Sequence, residues 1–256
     1  MIDTHSHLYA AEFEEDIEEV VSRAHEVGVK TILLPNIDRD SVDPMKKLVD
    51  KWPTTFKPMM GLHPSSVKQE TYRDELAVVE NELFTNGDMY IGVGEIGMDL
   101  YWDTSTKHEQ EEAFKTQCRW ADQLNLPIAI HSRNATQNVI DIIQELKLPN
   151  LTGVFHCFGD GPEEARQIID LGFKLGIGGV LTFKNSGLDK TMADIELDHC
   201  ILETDSPYLA PTPNRGKRNE SSYTALVAQK LADVKQTSLE NVAKITSQNA
   251  KELFRI

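Results

Sequence analysis

Short apolar runs alternate with amphipathic stretches along the whole chain. The runs that read as strands are Met1–His7, Lys30–Ile37, Phe56–His63, Tyr90–Gly97, Pro127–Arg133, Gly153–Phe158, Phe173–Thr182 and Cys200–Asp205. Glu12–Val27 places Phe13, Ile17, Val20, Val21 and Ala24 on one helical face, and Gly28 supplies the stop. Glu109–Leu124, Ala135–Leu146 and Pro162–Leu171 repeat that spacing, the last closed by Gly172. The interval from Val180 to Asp198 is the least regular, with a short helix expected at Leu188–Asp194; Ser222–Val234 and Leu239–Phe254 complete the chain. Strand and helix alternating eight times predict an α/β protein with a parallel sheet, and eight such units in 256 residues predict a single-domain (β/α)8 barrel over residues 1–256. An open doubly wound sheet is the runner-up. It is weakened because no Gly-x-Gly-x-x-Gly follows the first strand.

Composition narrows the class without choosing a function. Hydrophobic residues at 40% and charged residues at 26% are ordinary for a water-soluble domain. No apolar run approaches the roughly 20 residues of a membrane span, and no basic-apolar leader is seen after Met1. Cys118, Cys157 and Cys200 are odd in number and widely spaced, so buried thiols in a reducing cytoplasm are expected. Cys157 next to His156 is expected to point away from the side that His156 faces, as neighbours in a strand do. The net charge of −15 argues against a protein that coats nucleic acid with a broad basic surface. It does not exclude an enzyme acting on a phosphate ester, because bound divalent ions can dominate the local field.

The chemistry is carried by positions at the strand ends. His5 and His7 close the first run, and residues two apart in a strand face the same side. One His-x-His pair is a weak metal signal. Here His63, Glu95, His131, His156 and Asp205 recur at equivalent places in later runs. Five of the eight histidines fall at the rim where barrel active sites gather; His25, His108 and His199 do not. Any one of these residues alone reads equally well as a core or turn residue; all of them at one rim do not. Four histidines and two carboxylates exceed one catalytic zinc, which takes three ligands and water. They suit two metals, one at His5, His7, Glu95 and Asp205, the other at Glu95, His131 and His156, with Glu95 bridging. A water activated between the ions would be the nucleophile, and Asp205 could accept its proton.

Further roles follow with less force. His63 is expected to contact substrate. Arg133, two residues after His131, is expected to meet a phosphate. Glu203, two before Asp205, is expected to orient a histidine. Arg215, Lys217 and Arg218 form a basic run whose default is a solvated loop but which would sit at the site mouth. Tyr101 and Trp102 could stack a base or simply cover the mouth.

The segments Asp3-Thr4-His5-Ser6-His7-Leu8, Gly61-Leu62-His63-Pro64, Gly94-Glu95-Ile96-Gly97-Met98-Asp99, His131-Ser132-Arg133, His156-Cys157-Phe158, Leu202-Glu203-Thr204-Asp205-Ser206-Pro207-Tyr208-Leu209 and Arg215-Gly216-Lys217-Arg218-Asn219 together resemble the TatD family of metal-dependent deoxyribonucleases, amidohydrolase-like barrels. They run in order through nearly the whole chain. Met98 and Glu220-Ser221 depart from the family's commoner leucine and Glu-Pro, away from the expected ligands. The resemblance implies ligands at His5, His7, Glu95, His131, His156 and Asp205. It implies hydrolysis of DNA phosphodiesters, as a 3′-to-5′ exonuclease on single strands or ends, with magnesium. Magnesium prefers oxygen ligands, whereas four imidazoles suit zinc, manganese, nickel, cobalt or iron. The competing readings are a metal-dependent hydrolase of another ester or amide, such as a D-aminoacyl-tRNA deacylase, and a binding module with structural metals. Neither a membrane nor an obligate protein partner is expected.

Overall fold

The computed structural model describes residues 1–102 and 104–256. Among them the strands are β1 Ile2–Asp3, β2 Thr31–Pro35, β3 Phe56–Met59, β4 Val93–Asp99, β5 Ile128–Arg133, β6 Gly153–Phe155, β7 Lys174–Ile177 and β8 Cys200–Leu202. Every ladder is parallel, and the order follows the chain: β1-β2-β3, then β4 through β8. Two seams complete the ring. A bridge joins Met60 to Val93. Another joins Ser6 to Ser206, flanked by Thr4 N–H donating to the Leu202 carbonyl at 3.0 Å. The protein is a (β/α)8 barrel, as its alternating pattern predicts.

The helices are α1 Ile17–Glu26, α2 Arg39–Lys51, α3 Tyr72–Thr85, α4 Lys107–Leu124, α5 Thr136–Leu146, α6 Pro162–Asp170, α7 Leu188–Asp194, α8 Thr224–Lys235 and α9 Leu239–Phe254. α2 and α3 are not among the helices expected from the sequence, although Val42, Met45 and Leu48 give α2 one apolar face. Pro44 lies inside α2 and removes one backbone donor, yet a reciprocal Asp38–Ser41 capping box starts the helix. The stretch expected as one helix from Glu12 splits into a 3-10 turn, Ala11–Phe13, and α1. The chain breaks at Asp16, whose carboxylate is taken by Arg218. Several strands are shorter than expected. β1 stops at Asp3, β3 at Met59 and β7 at Ile177, because the following residues turn into the loops that carry the site.

Two apolar layers hold the barrel. The larger lies between strands and helices. The smaller joins Ile2, Leu33, Met59, Ala129, Val154 and Ile201, and side chains from six different strands meet only by pointing inward. Ala250 and Phe254 of α9 pack against this inner cluster. Among the described residues no helix is long and apolar enough to cross a membrane.

Candidate metal centre

Glu95 is the hub, and local backbone pairing aims it. The β4–β5 register runs from Val93↔Ile128 to Ile96↔Ile130, three residues against two. That extra residue is a bulge, which turns a side chain out of the regular alternation. Asn36 braces the same point: its N–H donates to the Gly94 carbonyl and its carbonyl accepts the Glu95 N–H, both at 3.0 Å. Sequence reasoning missed Asn36; it is buried, and nothing in its neighbourhood marks it. Gly97, at φ +137°, admits β5 here, since a Cβ would lie 2.0 Å from the His131 carbonyl oxygen.

His5 and His7 follow β1 rather than end it. They are laced to the segment after β8, with Asp205 N–H donating to the His5 carbonyl at 2.9 Å and His7 N–H to the Ser206 carbonyl at 2.7 Å. That lacing brings Asp205 across the barrel seam to the histidine pair. His131 lies inside β5 and His156 one residue beyond β6.

The two oxygens of Glu95 face different sets of rings. Oε2 is 3.0 Å from His5 Nε2 and 3.4 Å from His7 Nε2. Oε1 is 2.9 Å from His131 Nδ1, 3.0 Å from His156 Nε2 and 3.3 Å from His63 Nε2. Asp205 Oδ1 lies 3.6 Å from His7 Nε2 and 3.9 Å from His5 Nε2. Among the described residues, three overlapping groups can hold an ion: His5, His7 and Glu95; His5, His156 and Asp205; His63, Glu95 and His131. His63 therefore stands among the ligand-capable residues and not only at a substrate surface, because its Nε2 also comes within 3.2 Å of His131 Nδ1. His156 stacks on His5 with centroids 3.7 Å apart, and so borders both sets.

Proton accounting shows that this geometry suits a cation. The Tyr9 hydroxyl donates its one hydrogen to the Pro35 carbonyl at 2.5 Å, so at the 2.8 Å contact with His7 it accepts from Nδ1–H. The neutral ring then turns a bare Nε2 lone pair toward Glu95 and Asp205 oxygens. Likewise His131 Nε2–H donates to Asp99 Oδ2 at 2.8 Å, leaving Nδ1 facing Glu95 and His63. Lone pairs gathered in this way need a shared positive charge. Two ligands about 2.1 Å from one ion at tetrahedral or right angles lie roughly 3.0–3.4 Å apart. The Glu95 separations from His5 and His7, 3.0 and 3.4 Å, fall in that range.

Without an ion, protons do part of the same work. Burial opposes charge on His7, but Tyr9, Asp205 and Glu95 outweigh it and its pKa rises well above the usual value. His156 rises likewise against burial, under Glu95 and Glu203. Burial wins at His5 and His63, whose pKa values fall. Burial would raise Glu95, yet His63, His156 and His5 pull it well below the carboxylate range.

A second ring of carboxylates fixes the imidazoles. Glu203 Oε1 lies 3.3 Å from His156 Nδ1, beside the ring it is expected to orient, and accepts the Cys157 N–H. Gly176 leaves it room, since a Cβ there would sit 2.3 Å from Glu203 Oε2. Asp99, whose role sequence reasoning missed, binds His131. It accepts the N–H groups of Tyr101 and Trp102 at 2.9 and 3.1 Å as well. Burial raises Asp99, but His131 and these backbone donors outweigh it and bring its pKa to about 2. Asp3 is fully buried beneath the seam, holding Thr204 and Ser221.

Two expectations change. Arg218 does not project a free charge, because its guanidinium forks onto Asp16 at 2.6 and 2.7 Å and lies over the Phe13 ring. It fastens the loop after β8 to the start of α1. Cys157 is not a strand residue facing outward: β6 has ended, and the residue takes φ +49°. Burial and the nearby Asp205, Glu203 and Glu95 push its thiol pKa well up, and it joins no ligand-capable group among the described residues. Arg133 reaches the rim as expected, exposed, with its guanidinium 3.9 Å from the Tyr101 ring centre. His25, His108 and His199 lie away from the cluster; His25 faces Thr55 and His108 faces Glu112.

The chain resembles known proteins in sequence and in fold. A family model described as TatD related DNase matches residues 2–255. The chain is 37% identical over 257 residues to the uncharacterized metal-dependent hydrolase YabD of Bacillus subtilis, covering 100% of this chain and 99% of that protein. It is 31% identical over 261 residues to the uncharacterized metal-dependent hydrolase YcfH of Escherichia coli, covering 100% and 96%. The structure of YjjV, a TatD homologue from Escherichia coli, superposes with a TM-score of 0.94 at 26% identity, covering 100% and 98%. With a barrel of this order and histidines gathered on one buried glutamate, the chain belongs to the TatD-related DNase family of metal-dependent hydrolases.

Proposed function

We propose that the protein hydrolyses DNA phosphodiester bonds at or near a strand end, using two divalent cations that share Glu95. One observation carries this reading: the two oxygens of Glu95 face separate histidine sets, His5 and His7 on one side and His63, His131 and His156 on the other. His5, His7 and Asp205 would hold one ion, and His131 with His63 or His156 the other. Ions bound there would lower the pKa of a water and offset the charge of the phosphate in flight.

The residues of the chain supply the rest. Tyr9 and Asp99 lock the tautomers of His7 and His131. Asp205 accepts the proton of the attacking water. At 15% side-chain exposure it is more open than Glu95, Asp99 or Glu203. It also takes φ +60°, a conformation that presents its carboxylate at the cost of backbone strain. Arg133 and the exposed Tyr101, Trp102 and Tyr208 rim the mouth, which suits a strand better than a small enclosed substrate. Imidazole-rich ligands favour manganese, zinc or another transition ion in the cell, with magnesium able to support turnover. The three free thiols fit a reducing cytoplasm.

The test is turnover of an end-labelled single-stranded DNA oligomer by metal-stripped protein titrated with magnesium, manganese and zinc. A metal-dependent ladder shortening from one end, absent in a folded Asp205→Ala variant, is expected. No cleavage with any ion would move the assignment to another ester, the aminoacyl-tRNA bond first. Parallel loss of activity and thermal stability in Asp205→Ala would remove Asp205 from the chemistry.

A further inference from the structure

Trp102 is 72% exposed and Tyr101 53% exposed, side by side at the mouth of the barrel. Adjacent exposed apolar rings bordered by polar groups mark interaction surfaces. Three features show that this is a built surface and not a loose loop. The rings meet edge to face, centroids 4.8 Å apart at 87°. The Arg133 guanidinium lies 3.9 Å from the Tyr101 centroid and 5.3 Å from that of Trp102. The backbone of both aromatic residues is pinned by Asp99, the carboxylate that also holds His131. Strand register sets the same spacing: Gly97 pairs with His131 and Asp99 with Arg133, so the platform is one step along the β4–β5 ladder from the histidine cluster. A narrow cleft runs beside it, lined by Ser65, Lys68, Asp99 and Trp102.

We propose that Trp102 and Tyr101, held by Arg133 and Asp99, form a stacking subsite for one unpaired DNA base next to the bond being cut, with Arg133 and Lys68 facing that nucleotide's phosphate. The proposal rests on the phosphodiesterase reading for its substrate. An aromatic face accepts any base, and an arginine plane adds to the stack while contacting phosphate. A net charge of −15 leaves the protein little long-range attraction for DNA, so grip must come from short-range contacts of this kind. A base still paired inside a duplex hides its face and cannot use the site.

The test separates this subsite from the nuclease reading by measuring binding as well as turnover. Anisotropy of a labelled single-stranded oligomer is compared with that of the same oligomer carrying an abasic residue at each position in turn. The wild-type protein should bind the intact strand about 5- to 150-fold more tightly than the strand abasic at one position near its end. Trp102→Ala should erase that difference, and Trp102→Phe should restore most of it. With the metal-loaded enzyme, Trp102→Ala should raise KM for the oligomer by a similar factor, a much larger loss than on methyl p-nitrophenyl phosphate, which has no base to stack. Equal affinity for intact and every abasic strand would overturn the subsite even if DNA is cleaved. Equal loss on the small ester would show that Trp102 only supports the fold of the site. Intact-over-abasic discrimination in a protein that cleaves no DNA would keep the subsite and reject the nuclease reading.

Discussion

Removing one hydroxyl should loosen the metal centre from outside the ligand set. Tyr9→Phe deletes the oxygen that donates to the Pro35 carbonyl and accepts from His7 Nδ1. Both partners are buried, the His7 side chain to 4% exposure. Leaving a buried polar group unpaired costs about 1–3 kcal/mol, and water reaching the half-buried ring edge should keep the sum near 2 kcal/mol. For a chain of this length that lowers Tm by roughly 4–8 °C. The larger effect concerns the tautomer. Without the hydroxyl, His7 can protonate Nε2 instead of Nδ1, which removes the lone pair facing Glu95 and Asp205. Loss of such an outer partner lowers metal affinity about 10- to 100-fold. Competition against a chromophoric chelator with manganese or zinc measures the affinity, and thermal unfolding of metal-stripped protein measures the stability. Tyr208→Phe is the control, since that ring sits 6.3 Å from His7 with no hydrogen bond between them. If Tyr9→Phe holds its metals within twofold of wild type, the proton accounting around His7 is wrong.

Other outcomes follow from the same structure. Arg218→Ala should cost about 1 kcal/mol of stability, the scale of a half-exposed forked ion pair, and leave KM on oligonucleotides unchanged; a raised KM with unaltered unfolding would return Arg218 to the substrate. Saturating metal at about 100 times Kd should stabilise the protein by about 2.7 kcal/mol, a Tm rise of roughly 5–10 °C that a chelator reverses; a Tm indifferent to both would remove the ion-binding role of the cluster. Away from the site, burial raises the Glu82 carboxyl, but Lys46, Tyr90 and Asn86 outweigh it and hold its pKa below the ordinary value. A depressed carboxyl contributes stability above its unfolded pKa and loses it as pH falls through the folded one. The stability gap between wild type and Glu82→Gln should therefore be full at pH 6 and shrink below about pH 4.5; a gap constant down to pH 3 would refute that assignment.

The apolar runs and helical faces by themselves determined the barrel, because in a parallel barrel each strand and each crossover helix carries its own period in consecutive residues. The ligand-type residues were legible for the same reason. His5, His7, His156 and Asp205 lie shortly past the ends of β1, β6 and β8, Glu95 and His131 lie inside β4 and β5, and the fold rule sends the C-terminal parts of the strands to one rim. α3 was not legible, since its apolar and charged residues are spread around the helix; α2 does carry an apolar face at Val42, Met45 and Leu48, but the Pro44 inside it argues against a helix in the sequence alone.

Tertiary structure alone decided what each side chain does. Arg218, read along the chain, belongs to a basic loop at the mouth; only folding brings Asp16, about two hundred residues earlier, against it. Tyr9 and Asn36 carry no motif of their own and Asp99 only closes the Gly94–Asp99 segment; what each does depends on partners from other strands: Pro35, the Gly94–Glu95 backbone and His131. The bulge that aims Glu95 is a mismatch between two strands, so no single strand contains it. A sequence records which groups are available and roughly where each strand ends. Which lone pair faces which oxygen depends on distances of about 3 Å between residues far apart in the chain, and those exist only once the ring has closed.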